Sequence, residues 1–297
     1  NILDEQPERL LEVRGIGRET LKRIVEDHAR RKGPVAELRK ALLLLKESPT
    51  LASAIHRRFE DASLLILEEE PYRLAEVRGI SREAQAEFAV ESNKKAMRWA
   101  EAGDLEQELV DFGGLGVTRD EFARKLSLKA ALRAPVLAGS KETGVSAATV
   151  AVEADAAAAV LVMSEELDRS TGAKFSIKVT GSVSAAANPA EPALVPISAV
   201  GRLCKDINRA PSDFGRVELM EAYAVQAMVT LEDLEIPAHL SNCEGGALAR
   251  GHPIGASGAL LAVRLFHGLR RGKAGASGLA AIAAAGGLGT AISVAGN

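Results

Sequence analysis

Twelve of the chain's 27 glycines fall between Gly245 and Gly289, and this crowding constrains the fold more than any other feature. Glycine lets two backbones, or a backbone and a ligand, approach closely, at an entropic cost that an ordinary connecting loop avoids. The densest part runs from Asn242 to Ser257 and holds one histidine, His252, between Gly251 and Pro253; a second small-residue stretch follows at Ala283–Gly289. A histidine fixed between glycine and proline suits an acid, a base or a hydrogen-bond donor. A glycine-rich turn with a surface histidine satisfies the same residues equally well.

The rest of the chain must supply a core with few large rings. Hydrophobic residues make up 47% of the 297 residues but aromatics only 3%, so the core is built from Ala, Leu, Val and Ile. Such a length holds one large or two ordinary domains. The net charge of -3 does not by itself point to nucleic acid or a membrane surface. Two cysteines, Cys204 and Cys243, give neither a disulfide framework nor metal-ligand spacing, so the expectation is no metal and a reducing cytoplasm. No membrane span is expected, because glycine interrupts the apolar run Ala274–Ala295, and the first residues lack a signal-peptide pattern.

Periodicity predicts alternating elements. Ser81–Gly103 reads as an amphipathic helix with Ala84, Phe88, Ala89, Ser92, Ala96 and Trp99 near helical spacing. Gly113–Gly116 and Ala134–Gly144 read as loops, Ala157–Met163 as a buried strand or helix end, and Lys174–Ser184 as a strand. Helices are predicted over Pro196–Arg209, Met220–Leu234 and Ala256–Arg271, then strands over Gly278–Ala285 and Thr290–Val294. The pattern is that of an α/β sheet packed between helices.

A short repeat precedes this region. Pro7–Glu19 recurs 64 positions later as Pro71–Glu83, identical at 10 of 13 positions, and each copy reads as helix, tight turn, helix. Such a turn can hold a phosphate on its amides, which makes Arg14, Gly15, Gly17, Arg18 and Gly79 the candidate nucleic-acid residues. Residues 1–80 carry 15 basic and 15 acidic side chains, so the alternative is a helical packing module, and DNA binding is expected to be weak and salt-sensitive at most.

Three segments in order carry a resemblance. Gly245–Ala259 (GGALARGHPIGASGA), Glu218–Gln226 (ELMEAYAVQ) and Ala283–Gly289 (AAAGGLG) resemble segments of thiolases, the acyl-CoA acetyltransferases, and the likeness begins with the SREAQAEFA helix at Ser81. Residues 1–80 resemble the helix-hairpin-helix region of RecD-type DNA helicases, although no Walker A sequence occurs in the chain. The chain therefore reads as a composite joined near Gly79–Ser81. It comprises an all-α helix-hairpin-helix module (1–80), a thiolase-like helix and loop region (81–165) and a C-terminal α/β domain (166–297) forming a thiolase-like α-β-α half-core.

The resemblance implies a set of site residues. His252 matches the catalytic histidine, Glu221 is kept, and the amides of Ala285 and Gly286 would face an oxyanion. The family's second catalytic cysteine aligns with Ala283 and its asparagine with Met220. The nucleophilic cysteine belongs to the family's N-terminal half, and neither Cys204 nor Cys243 has its setting. Gly144–Met163 resembles the segment that lies along coenzyme A, with Ser146, Ala147 and Ala151 as candidate contacts. The expectation is an acyl-CoA C-acyltransferase ancestry, with a coenzyme A thioester as substrate, no bound cofactor and activity impaired because the half that carries the nucleophilic cysteine is absent. The alternatives are a DNA-binding helix-hairpin-helix protein on a non-catalytic scaffold, or a chain that does neither; a homo-oligomer or a missing partner chain stays open.

Overall fold

The computed structural model describes Leu21 and residues 70–103, 108–110, 114, 120–188, 191–273, 275–284 and 286–296. The chain divides into two units at Glu69/Glu70, and the architecture below is that of the second. The first copy of the repeat, with Arg14, Gly15, Gly17 and Arg18, lies outside the described residues, as does Ala285.

The second copy folds as the sequence predicts: helix α1 (Glu70–Arg78), a turn with Gly79 at φ +65°, and helix α2 (Arg82–Glu101). The amides of Gly79, Ile80, Arg82 and Ala84 bond to Glu76 O, Ala75 O, Glu142 O and Ser81 Oγ. Gly79 thus makes a helix stop, and the amides expected to hold a phosphate are spent on protein acceptors. Ser81 caps α2, and the helix ends at Ala102 before Gly103, at φ +76°. Its inner face is Ala86, Ala89, Ser92, Asn93 and Ala96, at the spacing of one helical stripe.

Short elements follow: α3 (Leu128–Arg133), an antiparallel pair β1 (Val136–Ala138) and β2 (Val145–Ser146), and α4 (Glu165–Thr171). The main sheet contains β3 (Ile177–Ala186), β4 (Arg216–Leu219), β5 (Ser277–Ala284) and β6 (Leu288–Gly296), in the order β3-β6-β5-β4. β4 runs parallel to β5, while β6 is antiparallel to both neighbours. Between the strands come α5 (Val195–Asp206), α6 (Ala224–Asp233), the single turn α7 (Ala247–Arg250) and α8 (Ser257–Arg271).

The two-residue period of β5 sorts its side chains between two layers. Leu279 and Ala281 face Val200 and Leu203 of α5 and Leu231 of α6. Ala280 and Ile282 face Leu261, Leu265 and Leu269 of α8. The result is helix, sheet, helix, as predicted. Burying a leucine such as Leu203 or Leu265 fully contributes about 1.5–3 kcal/mol each.

Three predictions need correction. Ala134–Gly144, expected as a loop, contains β1, whose backbone pairs with β2. The helix expected from Met220 begins at Ala224, because Met220 still donates its amide to Ala281 O and continues the edge of the sheet. The run Ala157–Met163, expected to be buried, has no regular structure; Leu161 is 83% and Val162 81% exposed. Val160 is 50% exposed as well, so the run is not packed into the core.

Candidate active site

Gly251 has φ +91°, and a Cβ there would come within 2.7 Å of the Ala154 methyl and 3.2 Å of the Phe122 ring. Only glycine meets both demands. The close approach lets His252 donate its amide to Val152 O at 2.7 Å and pair with Glu153 in a parallel bridge. Pro253 then opens a turn in which its carbonyl accepts the amides of Ala256 and Ser257, each at 2.9 Å, and α8 starts. His252 Nδ1 lies 2.7 Å from Ser257 Oγ. Partial burial pushes the imidazole below its usual range, so the ring is neutral near pH 7.

Beside the histidine is a cleft of about 430 Å³, walled by Ala154–Ala158 on one side and Pro253–Ala256 on the other. Alanine methyls, backbone and the Asp155, Pro253 and Ile254 side chains line it, in a groove open to solvent. A second apolar space of about 280 Å³ lies between Gly258 and Leu261 of α8 and Ile282, Thr290 and Ile292 of the sheet. It lies between the start of α8 and strands β5 and β6. Gly286 and Gly287 shape the β5–β6 turn at φ +83° and +78°.

Glu221 lies beneath the glycine loop. Its carboxylate accepts from Asn242 Nδ2 at 2.6 Å, Ser92 Oγ at 2.8 Å and the Leu248 amide at 3.3 Å. Ser92 Oγ in turn accepts the Gly246 amide at 3.0 Å. A Cβ on Gly246 would overlap the Glu221 carboxyl, so this glycine exists to let the acid in. The hydrogen bonds of Glu221 thus tie α2, β4 and the start of α7 together, whereas the His252 ring bonds Ser257.

Burial raises the Glu221 pKa, offset in part by those three donors. A carboxyl of this kind in an unfolded chain titrates at about pH 4.3. With the folded value raised, the stability this group contributes is complete below the unfolded value and is lost as pH rises through the folded one. Glu221→Gln removes that loss. Unfolding free energies measured over a pH series should show wild type falling relative to the variant as pH rises; a pH-independent difference would contradict this.

The other expected positions fall out as follows. Ser146 is buried in a closed turn, its amide bonded to Thr149 Oγ1 at 2.9 Å, so the hydroxyl expected to meet coenzyme A faces inward. Ala147 is exposed, with its amide on Pro135 O, and Ala151 is half-buried, with its amide on Ala222 O. Met220 packs in the core against α8. Cys204 is buried in the α5 core, where desolvation raises its pKa, and the Cys243 thiol bonds His239 O at 3.4 Å. Ser257 was given no role from sequence; its place five residues after the histidine, at a helix start, was the signal.

Sequence reasoning also missed a buried ionic cluster behind the glycine loop. Arg216 on β4 donates to Glu218 at 2.8 Å and to Glu244 at 2.9 Å. Arg264 on α8 donates to Glu244 at 3.2 Å and to Glu108 at 3.1 Å. Arg271 bonds Glu108 at 3.1 Å and stacks on Trp99, 4.0 Å from the ring centre. Glu244 thereby anchors the loop that carries His252 to both β4 and α8. Among the described residues no cluster of His, Cys, Asp and Glu could hold a metal, and no helix is long and apolar enough to cross a membrane.

Fold and site together define a class: a layered α/β protein with a partly buried histidine set beside a groove lined largely by alanine. Residues 173–296 match the thiolase C-terminal domain and residues 50–166 the thiolase N-terminal domain. Together these matches take in most of the chain, which belongs to the thiolase family. The second match begins at residue 50, so the likeness reaches further back than Ser81, and it corrects the expectation that the family's N-terminal half is absent, since residues 50–166 match that domain. The acetyl-CoA acetyltransferase of Cupriavidus necator is 33% identical over 223 residues, 73% of this chain and 56% of that protein. The acetyl-CoA acetyltransferase of Bacillus anthracis shares the fold, with a TM-score of 0.71 over 78% of this chain and 62% of that one, at 24% identity. Human mitochondrial 3-ketoacyl-CoA thiolase in complex with CoA superposes with a TM-score of 0.69 over 76% of this chain and 57% of that one, at 25% identity. The chain spans 52–58% of the length of the curated relatives it matches.

Proposed function

We propose that this chain binds an acyl-CoA thioester in the slot beside His252 and retains the histidine of acyl-transfer chemistry without a thiol to carry the acyl group. The observation that supports this is a partly buried imidazole beside an open groove of about 430 Å³ lined largely by alanine, with Asp155 and Ile254. A groove of this kind is long enough to take the arm of a coenzyme A thioester along its floor. His252 would take a proton at Nε2 and only then, as the imidazolium, donate from Nε2 to the thioester oxygen, and Gly286 would offer an amide to the developing oxyanion. Glu221 acts at one remove, by holding the glycine loop. The chain has two cysteines, and the hydrogen bond of the Cys243 thiol and the core position of Cys204 tie both elsewhere. Covalent transfer on this chain alone is therefore expected to fail.

The test is incubation with acetyl-CoA followed by intact mass measurement, with coenzyme A binding titrated by calorimetry. The expected result is binding with no acetylated cysteine, and loss of binding in Ala156→Trp, which fills the slot. Robust thiolysis of acetoacetyl-CoA that survives Cys243→Ala and is abolished by His252→Ala would overturn the account.

A further inference from the structure

We infer that Ser257 is the positioning residue of this site: its hydroxyl fixes His252 as the Nδ1–H tautomer, leaving the lone pair on Nε2. The argument is a count of protons. Ser257 Oγ carries one hydrogen and has two neighbours, Pro253 O at 2.9 Å and His252 Nδ1 at 2.7 Å. The carbonyl is an acceptor only, so the serine proton must go to it if that contact is a bond. Nδ1 must then be the donor. In the opposite assignment, with Oγ donating to Nδ1, two lone-pair oxygens would face each other at 2.9 Å in a buried place.

The surroundings hold this arrangement. Ser257 is fully buried, and its own amide is on the same Pro253 carbonyl at 2.9 Å, so the hydroxyl is fixed by the first turn of α8. The partner of Nδ1 is a neutral hydroxyl rather than a carboxylate. Of the acids alongside, Glu153 pairs with His252 through backbone, and Asp155 lines the slot. Arg250, two residues before the histidine, is bonded to Asp120 and to the Glu244 and Gly245 carbonyls. The serine therefore directs the ring without holding it charged, and with Nδ1 occupied only Nε2 can exchange a proton. The chemical use of that nitrogen rests on the acyl-CoA reading; the tautomer does not.

The test is long-range nitrogen NMR of the full chain labelled with ¹⁵N-histidine, with His252→Gln assigning one of the five histidines. The expected spectrum above the ring's titration is a single Nδ1–H tautomer. Ser257→Ala should move the ring toward the Nε2–H form that free imidazole favours, and Ser257→Thr should restore the original. A wild-type spectrum with Nε2–H, or an unchanged ratio in Ser257→Ala, would overturn the inference. The wild-type reading stands even if the alanine variant fails to fold. A chain that binds no coenzyme A but shows Nδ1–H would sink the proposed function and leave this inference in place.

Discussion

Glu244→Ala is expected to lower the stability of the α/β unit by about 3–5 kcal/mol, the range for breaking a buried ion pair from one side. Glu244 is the shared acceptor of Arg216 and Arg264, whose side chains are each only 10% exposed. Removing it leaves both guanidinium groups with one carboxylate fewer, in a place water does not reach. Three arginines and three glutamates balance in the cluster, so the variant also leaves a net buried charge. Chemical unfolding can be followed by fluorescence of Trp99, the chain's one tryptophan, which lies against Arg271 at the cluster's edge. A loss below about 1 kcal/mol, the value of an exposed pair, would show that the cluster is solvated.

Gly268→Ala is expected to destabilise the same unit by about 2–4 kcal/mol, against the direction of helix propensity. Alanine in mid-helix normally gains about 1 kcal/mol over glycine. Here a Cβ on Gly268 would overlap the Arg216 guanidinium. An arginine tip usually moves aside cheaply, but this one is held by Glu218 and Glu244, so either its bonds break or α8 lifts from the sheet. The clash acts through the same arginine that Glu244→Ala strands. The double variant should therefore lose less than the sum of the two single losses. Additive losses, or a stabilised Gly268→Ala, would contradict the packing described.

Much of the layered core was legible because its elements keep clean periods. Ala89, Ser92 and Ala96 recur at helical spacing along α2, and the structure buries all three. The His252 loop was legible because Gly251 and Pro253 mark a backbone with one way to run. The misreadings have a common physical origin. Ala157–Met163 looks like core by composition, but composition cannot say whether a neighbouring strand is there to receive it. The helix placed at Met220 was drawn too early because the sheet's claim on that amide is a long-range bond. Arg216 and Glu218 alternate on a strand, while Arg264, Gly268 and Arg271 recur along one helix face; taken together, these spacings were the missed sign of the ionic cluster. Ser257 escaped because its value lies in a proton that residue identity does not display.

The uncovered apolar run has a practical consequence. Val160, Leu161, Val162 and Met163 form a charge-free, proline-free stretch of high strand preference, and the first three are exposed. Segments of this kind stack between copies of a chain through their free backbone groups. The three exposed side chains are therefore expected to promote association on concentration or refolding, and Leu161→Lys is expected to reduce it.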